Sequence, residues 1–481
     1  MSNSASMRIA NLLDDGSFVE LGSYITARST DFNLQQKETP ADGCLTGYGT
    51  IEGNLVYVYS QDASVLGGSI GEMHAKKIAN VYALAMKMGA PVIGLVDCAG
   101  LRLQEATDAL NAFGQIYLSQ VQASGVIPQI TAVLGTCGGG MAVVPALTDF
   151  TFMETKSGKL FLNSPNAIDG NEISKCNTSS AAWQEENTGE VDMTGDEADL
   201  INSIRTLISI LPANNEDDMS YDECTDDLNR ACENLEAFKG DTAEALAEIS
   251  DNRFFFEVKK GYCKSMVTGF IRLNGTTVGA VANRSEVLDE EGNAAETYDA
   301  VLSAAGCEKA AKFVNFCDAF GIPVLTLVNV KGMQASICQE KKLPAAMAKM
   351  TYAFANATVP KVSVVIGEAY GSAYVAMNSK SIGADVVFSW PDASIGMMDA
   401  TNAVKIIYAD EINASEQASA LISEKAAEYA NLQSSPLSAA RRGYVDNIIE
   451  PQDTRKYVIG AFEMLFTKRE DRPAKKHGSV M

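Results

Sequence analysis

Apolar positions along the 481-residue chain follow two periods. Runs such as "GAPVIGLVD" (89–97) and "GIPVLTLVN" (321–329) are nearly continuous in Val, Ile and Leu after Gly-x-Pro. Bounded by turn residues, they predict buried strands. Before each run the spacing changes to three and four. In "AKKIANVYALAMKM", Ile78, Val81, Tyr82 and Ala85 share one helical face,. "EKAAKFVNFCDAF" precedes the second run in the same way. The order is strand, helix, strand, helix, strand, then a glycine-rich turn. That alternation predicts an α/β fold of layered sheets and helices.

The pattern occurs twice. Pro91 and Pro323 are 232 residues apart, as are Pro128 and Pro360, Gly135 and Gly367, and Gly139 and Gly371. One offset across 124–144 and 356–376 marks two copies of one αβ unit. An Asp- and Glu-rich stretch, roughly 196–250, separates them and reads as a solvated helical linker,. The boundary is expected near 245, giving domains 1–245 and 246–481. The tail "TKREDRPAKKHGSVM" is polar and expected at the surface,.

Composition narrows the function classes. With 46% hydrophobic and 21% charged residues, the chain reads as a soluble globular protein,. No apolar run approaches the ~18 residues of a membrane span. The first twenty residues lack a basic segment followed by an apolar one, so a cytoplasmic location is expected,. The net charge of −23 argues against nucleic acid and anionic membranes as partners,. Ten cysteines without a C-x-x-C pair read as mostly buried, reduced thiols,. Two histidines, His74 and His477, exclude a His-rich metal site, and no metal is expected. Any Ser-His or Cys-His machinery must use one of those two.

Three stretches are candidates for chemistry. Ala85-Met86-Lys87-Met88 is similar to the tetrapeptide around biotin-bearing lysines, but here it ends a helical pattern. The second copy, "FCDAF", keeps the apolar spacing without the lysine. The two methionines therefore read as core filler and Lys87 as a solvated helix position. "GGSIG" (67–71) fits the G-x-S-x-G elbow, but six residues separate Ser69 from the preceding strand pattern,. His477 lies in the tail, and His74 reads as a helix-surface group. The loop suits close backbone approach of a ligand instead. The turns 135–142 and 367–376 follow strands and are rich in small residues. Their amides can stabilise an oxyanion without any side chain, or the glycines can serve packing alone.

Long motifs also carry a family pattern. They include "LLDDGSFVELG" (12–22), "LTGYGTIEG" (45–53), "GGSIGEMHAKKI" (67–78) and "GAPVIGLVDCAGLRLQEA" (89–106). They continue through "ASGVIPQITAVLGTCGGGMAVVPALTDFTFM" (123–153), "FVNFCDAFGIPVLTLVNV" (313–330), "YAFANATVPKVSVVIGEAYGSAYVAM" (352–377) and "RRGYVDNIIEPQDTRK" (441–456). Nearly end to end, the chain resembles the carboxyltransferase subunit of biotin-dependent acyl-CoA carboxylases and decarboxylases. That family is a branch of the crotonase-like superfamily.

The resemblance implies two tandem crotonase-like (ClpP/crotonase) domains, matching the internal repeat. It implies acyl-CoA on the N-terminal domain and biotin, borne by a separate carrier protein, on the C-terminal domain. A hexameric trimer of dimers is implied, with either a biotin carboxylase subunit or a membrane decarboxylase subunit as partner. The latter would make the chain peripheral to a membrane. By motif, the amides of Gly139 and Gly140 would hold the thioester enolate. Those of Ser372 and Ala373, after Gly371, would hold the biotin ureido oxygen. Gly67, Gly68, Ser69, Ala99, Gly100 and Arg102 would contact substrate. Val375 lies where relatives tune acyl size, and its apolar character suggests a short chain. Lys76, Lys77, Arg102 and Lys159 are possible local partners of the CoA phosphates.

Several stretches depart from the family. Gly371-Ser372-Ala373 replaces Gly-Gly-Ala. "CAGLRLQEA" (98–106) replaces a more glycine-rich version. The 330–349 stretch lacks the usual Pro-Gly-Phe and Arg-His-Gly segments, and 283–306 is longer than usual. The expected activity is carboxyl transfer between carrier-bound biotin and the α-carbon of a short acyl-CoA. The alternative direction is that of the alpha subunit of a sodium-pumping methylmalonyl- or glutaconyl-CoA decarboxylase. A serine hydrolase on Ser69 and a non-catalytic CoA-binding scaffold are the contrasting classes.

Overall fold

The computed structural model describes residues 4–28, 37–217 and 221–472. The chain divides into two compact units, Met1–Ser220 and Tyr221–Met481.

In the first unit the strands are β1 (Val19–Glu20), β2 (Cys44–Ile51), β3 (Asn54–Gln61), β4 (Val92–Cys98), β5 (Gln129–Gly138), β6 (Phe150–Glu154), β7 (Lys159–Phe161) and β8 (Met193–Gly195). They form one sheet in the order β1-β2-β3-β4-β5-β6-β8, with β7 paired to the end of β5. The β1-β2-β3 pairs are antiparallel and the rest parallel. Helices Glu72–Met88 and Ala106–Ala123 cross between the parallel strands. The first buries Ile78, Val81, Tyr82 and Ala85, as its spacing predicts, against Val92, Val96 and Ile116.

The second unit repeats this topology. Its strands are β9 (Phe255–Val258), β10 (Met266–Leu273), β11 (Thr276–Asn283), β12 (Glu286–Leu288), β13 (Ala294–Thr297), β14 (Val301–Leu302), β15 (Val324–Val330), β16 (Gly332–Met333), β17 (Lys361–Tyr370), β18 (Val386–Ser389), β19 (Ser394–Gly396) and β20 (Asn447–Ile448). The main sheet runs β9-β10-β11-β15-β17-β18-β20, with β19 on the end of β17. β4 and β5 recur as β15 and β17 at the 232-residue offset, with the same bounds. The β2–β3 hairpin recurs as β10–β11 at an offset of 222. The ten extra residues therefore fall between Asn283 and Ala304. They carry the β12–β13 hairpin, which accounts for the longer 283–306 stretch. Its end, β14, pairs in parallel with β16, so the two departures at 283–306 and 330–349 are one hydrogen-bonded feature.

Three expectations need correction. The 196–250 segment is not a solvated linker. Helix Glu197–Ile210 buries Leu200, Ile204 and Leu207 in the first unit. Cys232, Leu235, Leu246 and Ile249 join the core of the second. The division accordingly falls at 220/221 rather than near 245, because the chain after Tyr221 packs on the second sheet. Of the two methionines flanking Lys87, Met86 packs on the core, but Met88 is 60% exposed at the helix end.

Candidate functional site

In the first unit three backbone segments converge at the carboxyl ends of the parallel strands. The loop 67–71 follows β3, the loop 99–102 follows β4, and the turn 139–142 follows β5. The first two are zipped together. Ala99 N–H donates to Gly67 C=O at 3.0 Å, Ile70 N–H to Gly100 C=O at 2.9 Å, and Arg102 N–H to Ile70 C=O at 2.9 Å. Gly68 sits so close that a Cβ there would lie 2.2 Å from the Asp97 carbonyl oxygen. Gly100 approaches the third segment, its would-be Cβ lying 3.7 Å from Gly138 O. The segments that carry Gly67, Gly68, Ser69, Ala99, Gly100, Gly139 and Gly140 thus lie side by side.

The turn itself is built by Gly139. Its φ of 62° is left-handed, where a side chain is strained,. It turns the chain out of β5 into the short helical segment Gly139–Ala142, which runs into helix Val143–Leu147. The first amides of a helical turn have no intrahelical acceptor and are free to meet a ligand oxygen. Beneath it lies Tyr117, whose hydroxyl donates to the Gly140 carbonyl. Burial raises the Tyr117 pKa and keeps the phenol a donor,. Nothing in the spacing of the sequence singled out Tyr117.

The second unit builds the same turn. Gly371 has φ 60° and opens helix Gly371–Ala376 after β17. Ser372 is exposed, Ala373 is buried, and Val375 is 38% exposed. β16, from the departing 330–349 stretch, packs against this helix. A cavity of about 470 Å3 in this unit is lined by Lys239, Glu286, Asn329, Lys331 and Glu368 among others.

The charged residues expected at the CoA phosphates behave differently. Arg102 is 2% exposed and fully engaged. It donates to Asp42 Oδ1 at 2.6 Å, Glu105 Oε1 at 2.8 Å and the Ser69 carbonyl at 2.7 Å. It holds the loop from below and does not reach for an anion in solvent. Lys77 is likewise buried, donating to the carbonyls of Ala41 and Cys44. Lys76 pairs with Glu72 at 2.6 Å on the surface, and Lys159 is exposed.

His74 is not a surface group either. It is fully buried, with Nδ1 2.9 Å from the Asp42 carbonyl and Nε2 3.1 Å from Gln61 Nε2. These contacts fix the tautomer: Nδ1 donates and Nε2 accepts. Burial, with the Arg102 charge next, pushes its pKa down to about 3,. Both nitrogens are occupied, so His74 cannot serve Ser69 as a base. Ser69 Oγ instead faces Arg102 Nε at 3.4 Å. His477 lies outside the described residues. No helix of the described residues is long and apolar enough to cross a membrane.

The family model for the carboxyl transferase domain matches residues 2–480. The methylmalonyl-CoA decarboxylase subunit alpha of Propionigenium modestum is 40% identical, over 98% of this chain and 92% of its own. The propionyl-CoA carboxylase beta chain of Roseobacter denitrificans is 38% identical over the same shares. Among solved structures, the transcarboxylase 12S hexamer with methylmalonyl-coenzyme A bound superposes with a TM-score of 0.92 at 38% identity, covering 99% of this chain and 92% of that one. The two eight-stranded α/β sheets are the tandem carboxyltransferase fold of that structure. With a match from residue 2 to residue 480, the chain belongs to the carboxyl transferase family.

Proposed function

We propose that the chain moves a carboxyl group between biotin on a separate carrier and the α-carbon of a short acyl-CoA. The observation that carries this reading is the duplicated turn. Two backbone-lined sites, at Gly139 and Gly371, end equivalent strands of equivalent sheets. A transfer between two carriers develops two anions, a thioester enolate and a ureido oxyanion, and each needs its own donors. In this reading the amides of Gly139 and Gly140 hold the thioester oxygen, with Tyr117 fixing the next peptide of the turn, Gly140–Met141, from behind. The amides of Ser372 and Ala373 face the ureido oxygen. Biotin, when bound, supplies the carboxyl carrier nitrogen. No histidine is required, which fits His74 being locked and neutral.

Val375, half-exposed on the second helix, supports a short acyl group. The relatives named as methylmalonyl-CoA decarboxylase and propionyl-CoA carboxylase support either direction of the same reversible step. The partners then proposed are a biotin carrier protein with a biotin carboxylase or a membrane decarboxylase subunit, and further copies of this chain in a hexamer. The test is purified protein with free biotin and malonyl-, methylmalonyl- or glutaconyl-CoA, following loss of the carboxyl group. Biotin-dependent decarboxylation is expected with at least one of them. Turnover that ignores biotin and disappears in Ser69→Ala would instead favour a hydrolase.

A further inference from the structure

Each candidate oxyanion turn is preceded by the same three-residue relay. In the first unit Asp97 Oδ1 accepts the Thr136 amide at 3.2 Å, and the Asp97 amide is itself received by Gln61 Oε1 at 3.2 Å. In the second unit Asn329 Oδ1 accepts the Glu368 amide at 3.1 Å, and the Asn329 amide is received by Asn283 Oδ1 at 3.4 Å. Asp97 and Asn329 are equivalent at the 232-residue offset, as are Thr136 and Glu368. Gln61 and Asn283 end the equivalent strands β3 and β11.

The relay sits where the ladder breaks. Val96 pairs with Val133, but the next partners are Cys98 and Cys137. Val328 pairs with Val365, but the next are Val330 and Ala369. Between these pairs one residue of one strand thus faces three of the other in both units, a bulge that re-aims the strand end,. The side-chain oxygen takes an amide the ladder has given up. Gly135 and Gly367 make the contact possible, since a Cβ would lie 2.1 Å from Asp97 Oδ1 and 2.4 Å from Asn329 Oδ1. Three residues beyond each bonded amide stands the left-handed glycine of the turn, Gly139 or Gly371. Asp97 also touches the other loop of the first site, through the carbonyl that only Gly68 can approach.

We infer that Asp97 and Asn329 are positioning residues, each aiming the oxyanion turn of its own unit. This rests on the proposed function for its catalytic consequence, but not for the relay. What each unit requires is an acceptor oxygen, not a charge, because a carboxylate and a carboxamide do the same work. The surroundings permit exchange. Asp97 Oδ2 faces Arg8 at 3.5 Å, and Arg8 keeps Glu197 at 3.1 Å if that charge is lost. The Lys239 stem lies against Gly367 beside Asn329, so a carboxylate there has a cation at hand.

The experiment uses four full-length variants: Asp97→Ala, Asp97→Asn, Asn329→Ala and Asn329→Asp. Amide hydrogen exchange is read on peptides covering 135–142 and 367–374. Asp97→Ala is expected to speed exchange in the first peptide only, and Asn329→Ala in the second only. Asp97→Asn and Asn329→Asp should return exchange toward wild type. In the transfer assay, Asp97→Ala should lower kcat/KM for acyl-CoA about 10- to 100-fold while sparing KM for free biotin. Asn329→Ala should do the reverse, and the two exchange variants should recover most of the loss. Unchanged exchange in both turns overturns the inference, as does equal damage by the Ala and the exchange variants. Should exchange respond as stated while the wild type shows no biotin-dependent transfer, the proposed function fails and the positioning role stands.

Discussion

Lys309 occupies in the second unit the position that Lys77 occupies in the first, at the 232-residue offset. Lys77 donates to the carbonyls of Ala41 and Cys44, and Lys309 to those of Lys259 and Tyr262 at 2.8 Å each. A lysine read alone as a phosphate partner is therefore one of a matched pair of buried clamps. Each ties the helix after the first hairpin to the chain that precedes it. Burial pulls the Lys309 pKa from 10.5 to about 8,.

A pH signature follows from that clamp. Between about pH 8 and 10.5 the unfolded lysine still holds its proton while the folded one has released it. Stability contributed by this group therefore rises with pH across that window and is flat below it. Urea unfolding of wild type and Lys309→Met from pH 8 to 10.5 checks this. The variant should lose the rising component. It should also be less stable at pH 7 by about 1–3 kcal/mol, since two carbonyls lose their donor. Equal slopes would show that Lys309 titrates normally.

His74 sets the acid limb. Folded, it protonates only near pH 3; unfolded, it does so near 6.5. As pH falls through that interval the unfolded state gains a proton the folded state refuses. Stability should drop by about 1.4 kcal/mol per pH unit from this group. His74→Gln should flatten the drop, and biotin-dependent transfer at pH 7 should persist if the variant folds. Abolished transfer in a stably folded His74→Gln protein would return the residue to the chemistry.

Arg102 is expected to fail as a structural residue, not as a phosphate ligand. Arg102→Ala leaves the Asp42 and Glu105 carboxylates buried without their cation. The cost is about 3–5 kcal/mol, visible as a lower Tm or insoluble protein. Arg102→Lys should rescue poorly, because one ammonium cannot replace a guanidinium that reaches Asp42, Glu105 and Ser69 together. A well-folded Arg102→Ala with only a raised KM for acyl-CoA would reverse this assignment.

The turns can be tested with small changes. Gly139→Ala places a Cβ in open space but at φ 62°, costing about 1–2 kcal/mol of backbone strain,. The protein should fold, and transfer should fall because the following amides shift. Gly140→Pro deletes one donor outright, and one oxyanion donor is typically worth about 10²–10³ in rate. Full transfer by the assembled Gly140→Pro protein would rule out that amide.

Lys87 should carry no biotin. It is exposed in the last turn of a 17-residue helix that Gly89 caps in the left-handed conformation. A swinging carrier arm needs a protruding hairpin, and here the backbone is held in a helical ladder. Avidin should fail to label the chain, and intact mass should show no biotin addition.

Much of this was legible in the sequence. The 232-residue offset, the apolar runs of β4 and β15, and the helical face of Ile78, Val81, Tyr82 and Ala85 are local patterns, and local patterns are what periodicity records. The glycine turns were legible for the same reason: a left-handed residue after a strand must be small. The roles of charged side chains were not. Whether Arg102, Lys77 and His74 face solvent or a carbonyl depends on the chain around Ala41, Asp42 and Cys44, 30 to 60 residues away. The packing of 196–250 was hidden by its acidic composition, because burial depends on which face meets a sheet and not on the average charge. Asp97, Asn329 and Tyr117 each look like ordinary polar residues. Only the tertiary structure, by bringing β4 against β5, β15 against β17 and helix Ala106–Ala123 against the turn after β5, gives their oxygens an amide or a carbonyl to hold.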